Sequence, residues 1–187
     1  MQATKLTAAW AMAAALVLLA GCAGQTRVES NLHIKGAPDW VNKGPAVIKN
    51  KKGRLFHGVG SAPPMGDRSL QTDTADNRAR AALARVLTSY MEVVSSDYAR
   101  AGGKGETMPE QDITRQIDSI SRINLAGSRI IGRWRDKKTN VVYSLAELDL
   151  KQVRKTLDGV KDMNEGFRNH MATHGENIFD RMATGGE

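Results

Sequence analysis

Apolar and polar positions along the chain follow two rhythms, one of period two and one of steps of three and four. In the segment Arg54 to Gly60, Leu55, His57 and Val59 alternate with Phe56, Gly58 and Gly60, which predicts a strand that Pro63-Pro64 closes. From Asp73 to about Tyr98 the residues Ala75, Ala79, Leu83, Val86, Leu87, Tyr90 and Val94 recur at helical spacing and share one face. Asp76 and Arg80, four apart, read as a surface ion pair on that helix. Ala101-Gly102-Gly103-Lys104-Gly105 ends it in a loop. A second helix is predicted from Pro109, a good first-turn residue, through Ile113, Ile117 and Ile120 to a stop near Gly127.

Period two then returns. In Arg129 to Arg135, Ile130 and Trp134 fall on one face and Arg129, Arg133 and Arg135 on the other, with Ile131 breaking the pattern. Val141 to Leu148 is rich in strand formers, and Asp136 to Asn140 between the two strands has the length of a hairpin loop. After Asp149, a helix cap by type, Val153, Leu157, Val160, Phe167 and Met171 keep an approximate helical stripe interrupted by Gly159 and Gly166. The end from His174 to Glu187 is expected to fray. The predicted fold class is α/β in the broad sense, of α+β type: strand, two helices, β-hairpin and C-terminal helix around a small antiparallel sheet.

The N-terminus carries a different pattern. Lys5 precedes an uncharged apolar run of 14 residues, Leu6 to Leu19. A helix needs about 20 apolar residues to cross a bilayer core, whereas a secretory signal uses about 7 to 15. Residues 1–21 are therefore expected to be a cleaved signal peptide. The sequence that closes it, Leu19-Ala20-Gly21-Cys22, resembles the bacterial lipobox, in which small residues admit a dedicated peptidase to the bond before a lipid-modified cysteine. Cys22, the only cysteine, would become the first mature residue, carrying an S-diacylglyceryl and an N-acyl group. Each buried methylene contributes about 0.8 kcal/mol, so several acyl chains hold stably where one is marginal. Ala23, rather than aspartate, follows the cysteine, and similarity to sorted lipoproteins then implies the outer membrane, facing the periplasm. Residues 22–37 mix Gly, Gln, Thr, Ser and Asn without a period and are expected to act as a flexible tether, followed by a folded domain over 38–150 and a C-terminal helical extension over 151–187.

Composition narrows the classes of function. Apolar residues at 41% and charged residues at 25% of the 187 positions are globular proportions. Loss of Lys5 with the signal lowers the formal charge from +7 to +6, a surplus that attracts acidic partners, lipid headgroups or an anionic wall, or serves only solubility. Export removes nucleic acid from the expected partners.

Candidate chemistry is sparse. Gly58-Val59-Gly60-Ser61 lacks the spacing of a phosphate loop and of a nucleophile elbow, and close strand packing is the better reading. His170 and His174 would share a helix face, but no H-E-x-x-H glutamate lies between them, and surface histidines are expected rather than a metal site. Asp39, Asp136, Glu147 and Asp149 are acid/base candidates by type alone. Arg129, Arg133 and Arg135 with Lys137 and Lys138 gather positive charge on one hairpin face and tip, which would suit an acidic partner or discourage edge pairing. Trp40 and Trp134 read as core residues.

Taken in order, Pro38-Asp39-Trp40-Val41, Gly58-Val59-Gly60-Ser61-Ala62, the helix with Ala75, Asp76, Ala79, Arg80, Leu83 and Ala84, and Trp134-Arg135-Asp136 with Tyr143-Ser144-Leu145-Ala146 resemble the LPP-twenty family of bacterial lipoproteins over residues 38–149. The resemblance implies a small α/β domain on an outer-membrane lipid anchor, similar to the N-terminal domain of a flagellar-ring assembly protein, with no established enzyme activity and no cofactor besides the covalent lipid on Cys22. The expected function is a non-catalytic interaction module for envelope or flagellar proteins. Self-assembly through the C-terminal helix and cell-wall hydrolysis are the alternatives.

Overall fold

The computed structural model describes residues 32–48, 53–101, 110–157, 159–160 and 163–184, without the side chains of 110–113 and 123. Among these residues the chain runs α1 (Asp39–Asn42), a 3-10 turn (Pro45–Val47), β1 (Leu55–Ala62), α2 (Arg68–Arg100), α3 (Glu110–Ala126), β2 (Arg129–Arg135), β3 (Val142–Asp149), α4 (Leu150–Leu157) and α5 (Glu165–Ala183). The fold class is α+β. The three strands form one antiparallel sheet in the order β1-β3-β2.

Alternation along β1 and β3 sorts the sheet into two faces. Phe56, Gly58, Gly60 and Ala62 pair with Leu148, Ala146, Ser144 and Val142 and look toward α2. Leu55, His57, Val59 and Ser61, paired with Asp149, Glu147, Leu145 and Tyr143, look the other way. On that second face the Trp40 ring lies over Gly132, where an added Cβ would stand 3.7 Å from it. Val41 is buried, while Trp40 and Trp134 are only half-buried rather than core residues.

Helix α2 begins at Arg68, ahead of the expected start at Asp73. Asp67 caps it, accepting hydrogen bonds from the Ser69 and Leu70 amides at 2.7 and 3.3 Å. The inward residue of its first turns is Gln71, whose Nε2 donates to the Ala62 and Asn140 carbonyls at 3.2 and 2.8 Å. A buried polar residue there is why the apolar pattern starts late. From Ala75 the stripe is buried through Ala79, Leu83, Leu87, Tyr90, Met91 and Val94, with Val86 outside it and exposed. Helix α3 adds Ile117 and Ile120 to the core and stops at Ala126, as its spacing predicts; Pro109 lies outside the described residues.

The expected boundary between a domain and a C-terminal extension does not divide the core. Phe56, Leu83 and Leu148 belong to the same buried cluster as Val153, Leu157, Phe167, Met171, Ile178 and Phe179. Phe179 meets the Phe56 ring edge-on with centroids 5.0 Å apart, and the Tyr90 hydroxyl donates to the Gly175 carbonyl at 2.9 Å. The expected fraying after His174 is corrected accordingly: α5 continues to Ala183 because two residues of its last turns fill the core. Two helices stand where one interrupted stripe was read, the first with the Lys151 amide bonded to the Asp149 carboxylate and the second capped by Asn164. The end of the expected tether is also tied down. Asn42 grips Ile34 twice, accepting from its amide at 2.9 Å and donating to its carbonyl at 3.0 Å.

Candidate functional site

The sheet face under α2 is built by glycine. A Cβ on Gly58 would stand 2.4 Å from the Ala79 carbonyl oxygen and 2.4 Å from the Leu83 nitrogen; one on Gly60 would stand 2.2 Å from the Ala79 nitrogen. Both obstacles are backbone, so the helix lies on the strand at a distance no larger residue permits. The Gly58-Val59-Gly60 segment is a close-packing device, as its spacing suggested.

That approach brings Asp76 onto the sheet. Asp76 is buried; its carboxylate accepts from Arg133 through Nε at 2.9 Å and Nη2 at 2.5 Å, and from the fully buried Ser144 hydroxyl at 2.7 Å. The bidentate Arg133 bond is the main reason its pKa falls below the ordinary aspartate value; burial opposes the shift, and the Ser144 bond reinforces it. The expected surface pair with Arg80 is thus replaced by a network inside the helix-sheet contact. Asp76 follows Ala75 and precedes Ala79 by three, so it stands on the apolar stripe, and a carboxylate there needs a buried partner. Stripe position was the available signal.

Arg133 reaches Asp76 because β2 carries a bulge. Pairing runs Arg129 with Glu147 and Ile130 with Ala146, then skips Ile131 and resumes with Gly132 on Leu145, Arg133 on Ser144, Trp134 on Tyr143 and Arg135 on Val142. One extra residue flips the alternation. Arg129 therefore shares a face with Gly132 and Trp134, while Ile130, Arg133 and Arg135 share the α2 side, and the expected single arginine face is corrected. Arg129 bonds Glu147 at 3.0 Å, and Glu147 also meets the buried His57 ring at 3.2 Å. Trp134 leaves the expected company of Ile130 and stacks at a tilt on Tyr143, with centroids 5.7 Å apart.

Of the five basic hairpin residues, Arg129 and Arg133 are engaged by carboxylates, and Arg135, Lys137 and Lys138 remain exposed at one end of the sheet. Arg135 donates to the Asn140 side chain at 2.7 Å. Asp136 holds the tip together, accepting from the Thr139 hydroxyl and the Lys138 amide, and these bonds, Thr139 first, depress its pKa.

The remaining candidates take separate places. His170 and His174 stack with centroids 4.6 Å apart, yet the His170 ring is buried and meets Asp97 at 3.1 Å, so it is not the surface histidine expected. Burial alone would raise the Asp97 pKa, but hydrogen bonds from His170 and Arg181 hold it below the ordinary value. No group of three or more His, Cys, Asp or Glu among the described residues converges as a metal site. Asp39 pairs with Lys43 one turn on, and Asp149 caps α4, so the four carboxylates singled out by type serve four local structures. No helix among the described residues is long and apolar enough to cross a membrane. Cys22 and the segment before it lie outside the described residues. Comparison with models of known families and with curated proteins finds no match to this chain.

Proposed function

We propose that the chain is an outer-membrane lipoprotein of the LPP-twenty type, held by acyl chains on Cys22 and facing the periplasm, whose α+β domain is a non-catalytic interaction module in envelope or flagellar assembly. The observation that carries the reading is the tetrapeptide Leu19-Ala20-Gly21-Cys22 behind an apolar run of 14 residues. The motifs behind the family resemblance also form one constellation. Gly58 and Gly60 seat α2 at Ala79 and Leu83, Asp76 reaches Ser144, Trp134 stacks on Tyr143, and Trp40 lies beside Gly132. Shared packing is a physical reason for those residues to occur together. The alternative of self-assembly through the C-terminal helices would have to use their outward faces, since Val153, Leu157, Phe167, Met171, Ile178 and Phe179 lie in the core and Met182 is the large apolar residue of α5 left exposed.

The test is the mass of the N-terminal peptide and the membrane fractionation of the full chain beside Cys22→Ser. The expected wild-type peptide begins at Cys22, carries diacylglyceryl and N-acyl groups, and sediments with the outer membrane, while Cys22→Ser keeps its leader. An intact Met1 or an unmodified thiol on Cys22 overturns the proposal. For the partner, crosslinking in intact cells compares wild type with a triple Arg135→Glu, Lys137→Glu, Lys138→Glu variant. Arg133 is left intact because it bonds Asp76. Recovery of the same proteins from both would remove the hairpin tip from the reading.

A further inference from the structure

We infer that the cleft between α4 and α5 is a binding site for a phosphate-bearing anion. The cleft has a volume of about 370 Å³ and is lined by Lys151, Arg154, Lys155, Leu157, Arg168 and Ala172. Four of those six residues are cations and none is acidic. Arg154 is neutralised, bonding Glu176 at 2.7 Å and the Ala172 carbonyl at 3.1 Å. Lys151, Lys155 and Arg168 have no side-chain hydrogen bond or ion pair to any described residue. Arg168 is the informative member. Its Nε is sealed from solvent and has no acceptor among the described residues, whereas the other arginines that enter buried or half-buried contacts with α5 and α2 bond carboxylates: Arg54 on Asp180, Arg133 on Asp76, Arg154 on Glu176.

Ordinary surface charge explains Lys155, which sits in the last turn of α4 where the helix dipole favours a cation. It does not explain Arg168. That residue stands in the first turns of α5, where the dipole disfavours a cation, and its guanidinium has no carboxylate partner among the described residues. Three cations with no partner among the described residues around one cleft call for an anion of more than one charge. The guanidinium fork suits two oxygens of one phosphoryl group, while the two ammonium groups act as point charges on it. A single carboxylate would leave most of that charge unanswered. Leu157 and Ala172 supply an apolar wall for the carbon next to the phosphate. The same chemistry is offered by the headgroup of an anionic lipid and by a small soluble phosphate. The inference does not depend on the anchor at Cys22.

The test is lysine footprinting by mass spectrometry on the full chain reconstituted in vesicles. One arm uses phosphatidylcholine alone, the second adds phosphatidylglycerol, and the third adds inorganic phosphate to the phosphatidylcholine vesicles, with ionic strength matched by chloride. At a ligand concentration about ten times its Kd, acylation of Lys151 and Lys155 should fall roughly tenfold, because only the unliganded fraction reacts. Lys137 and Lys138 on the hairpin should not change. Protection confined to phosphatidylglycerol identifies a lipid headgroup, and protection by inorganic phosphate identifies a soluble ligand. Arg168→Glu should abolish protection at both lysines. Lys155→Glu, on the exposed side of α4, should abolish it at Lys151 even if Arg168→Glu fails to fold. Unchanged reactivity in all arms, or equal protection of Lys137 and Lys138, overturns the inference.

Discussion

Replacing Gly60 by alanine inserts a methyl group where the backbone of α2 already runs. The new Cβ would lie 2.2 Å from the Ala79 nitrogen and 2.5 Å from the Arg78 carbonyl carbon. Ordinary contacts begin near 3.4 Å, so strand and helix must separate by roughly 1 Å along a helix that carries much of the core, in an interior too closely packed to absorb it. Overpacking of this kind costs about 1 to 3 kcal/mol, and the upper end applies because backbone cannot rotate out of the way as a side chain can. For a domain of this size about 3 kcal/mol corresponds to a fall in Tm of roughly 6 to 12 °C. Gly58→Ala meets the Ala79 oxygen and Leu83 nitrogen at 2.4 Å and should behave alike. Two internal controls separate crowding from the loss of glycine itself. A Cβ on Gly132 would make only ordinary contacts, at 3.7 Å or more, and one on Gly66 meets nothing within 4 Å. Both alanine variants should stay within about 0.5 kcal/mol of wild type or gain slightly from a less flexible unfolded chain. Urea and thermal unfolding of the four variants decide the matter. A Gly60→Ala protein as stable as wild type, or a Gly132→Ala protein as damaged as Gly60→Ala, would refute the close-approach account.

Asp76→Asn should destabilise by about 1.5 kcal/mol at neutral pH, the low end for hydrogen bonds to a charged group because Arg133 is half exposed. Because the folded Asp76 pKa lies below its ordinary value, its contribution is fully present above the ordinary aspartate range and is lost as pH falls through the folded value. The gap between wild type and Asp76→Asn in urea titrations should therefore close on acidification and stay constant between pH 6 and 8, on the order of the usual carboxylate behaviour. Phe179→Ala removes a ring wedged against Phe56 and Tyr90 and should cost about 3 to 5 kcal/mol by the same measurement, whereas a true appendage would tolerate it. A chain ending at Leu150 should lose its cooperative unfolding transition, because Val153, Phe167 and Ile178 leave the core with the deleted segment. Arg54→Ala removes the guanidinium that bridges Asp180 and Glu176, and amide exchange should quicken selectively in the last turns of α5; uniform exchange would argue that the bridge is idle.

Elements whose cause is local were legible from the residues in order. Alternation from Leu55 to Val59, the spacing of Ile117 and Ile120, the hairpin loop from Asp136 and the Asp149 cap each depend on neighbours a few positions away, and each has its expected counterpart in the fold. The glycines of β1 were readable as a close approach because few other features ask for two of them in one strand. The start of α2 was misplaced because its first buried side chain is Gln71, which polarity hides from an apolar pattern.

What stayed hidden depends on partners far away in the chain. Ile131 marked an irregularity in β2, but only pairing with β3 turns it into a bulge, and the bulge sends Arg129 to one face and Arg133 to the other. Asp76 and Arg80 are four apart and look like partners, yet Asp76 bonds Arg133 and Ser144, 57 and 68 positions on. The stripe on α4 and α5 announced an apolar face without saying what it covers; α3 and β3 cover α4, and α2 with Phe56 of β1 covers α5, which turns an expected extension into part of the core. Periodicity records which side of an element avoids water, because burial is favourable whatever the neighbour. It does not record which neighbour is met, since that depends on how separate elements share one limited interior and on where each buried charge finds its counterion.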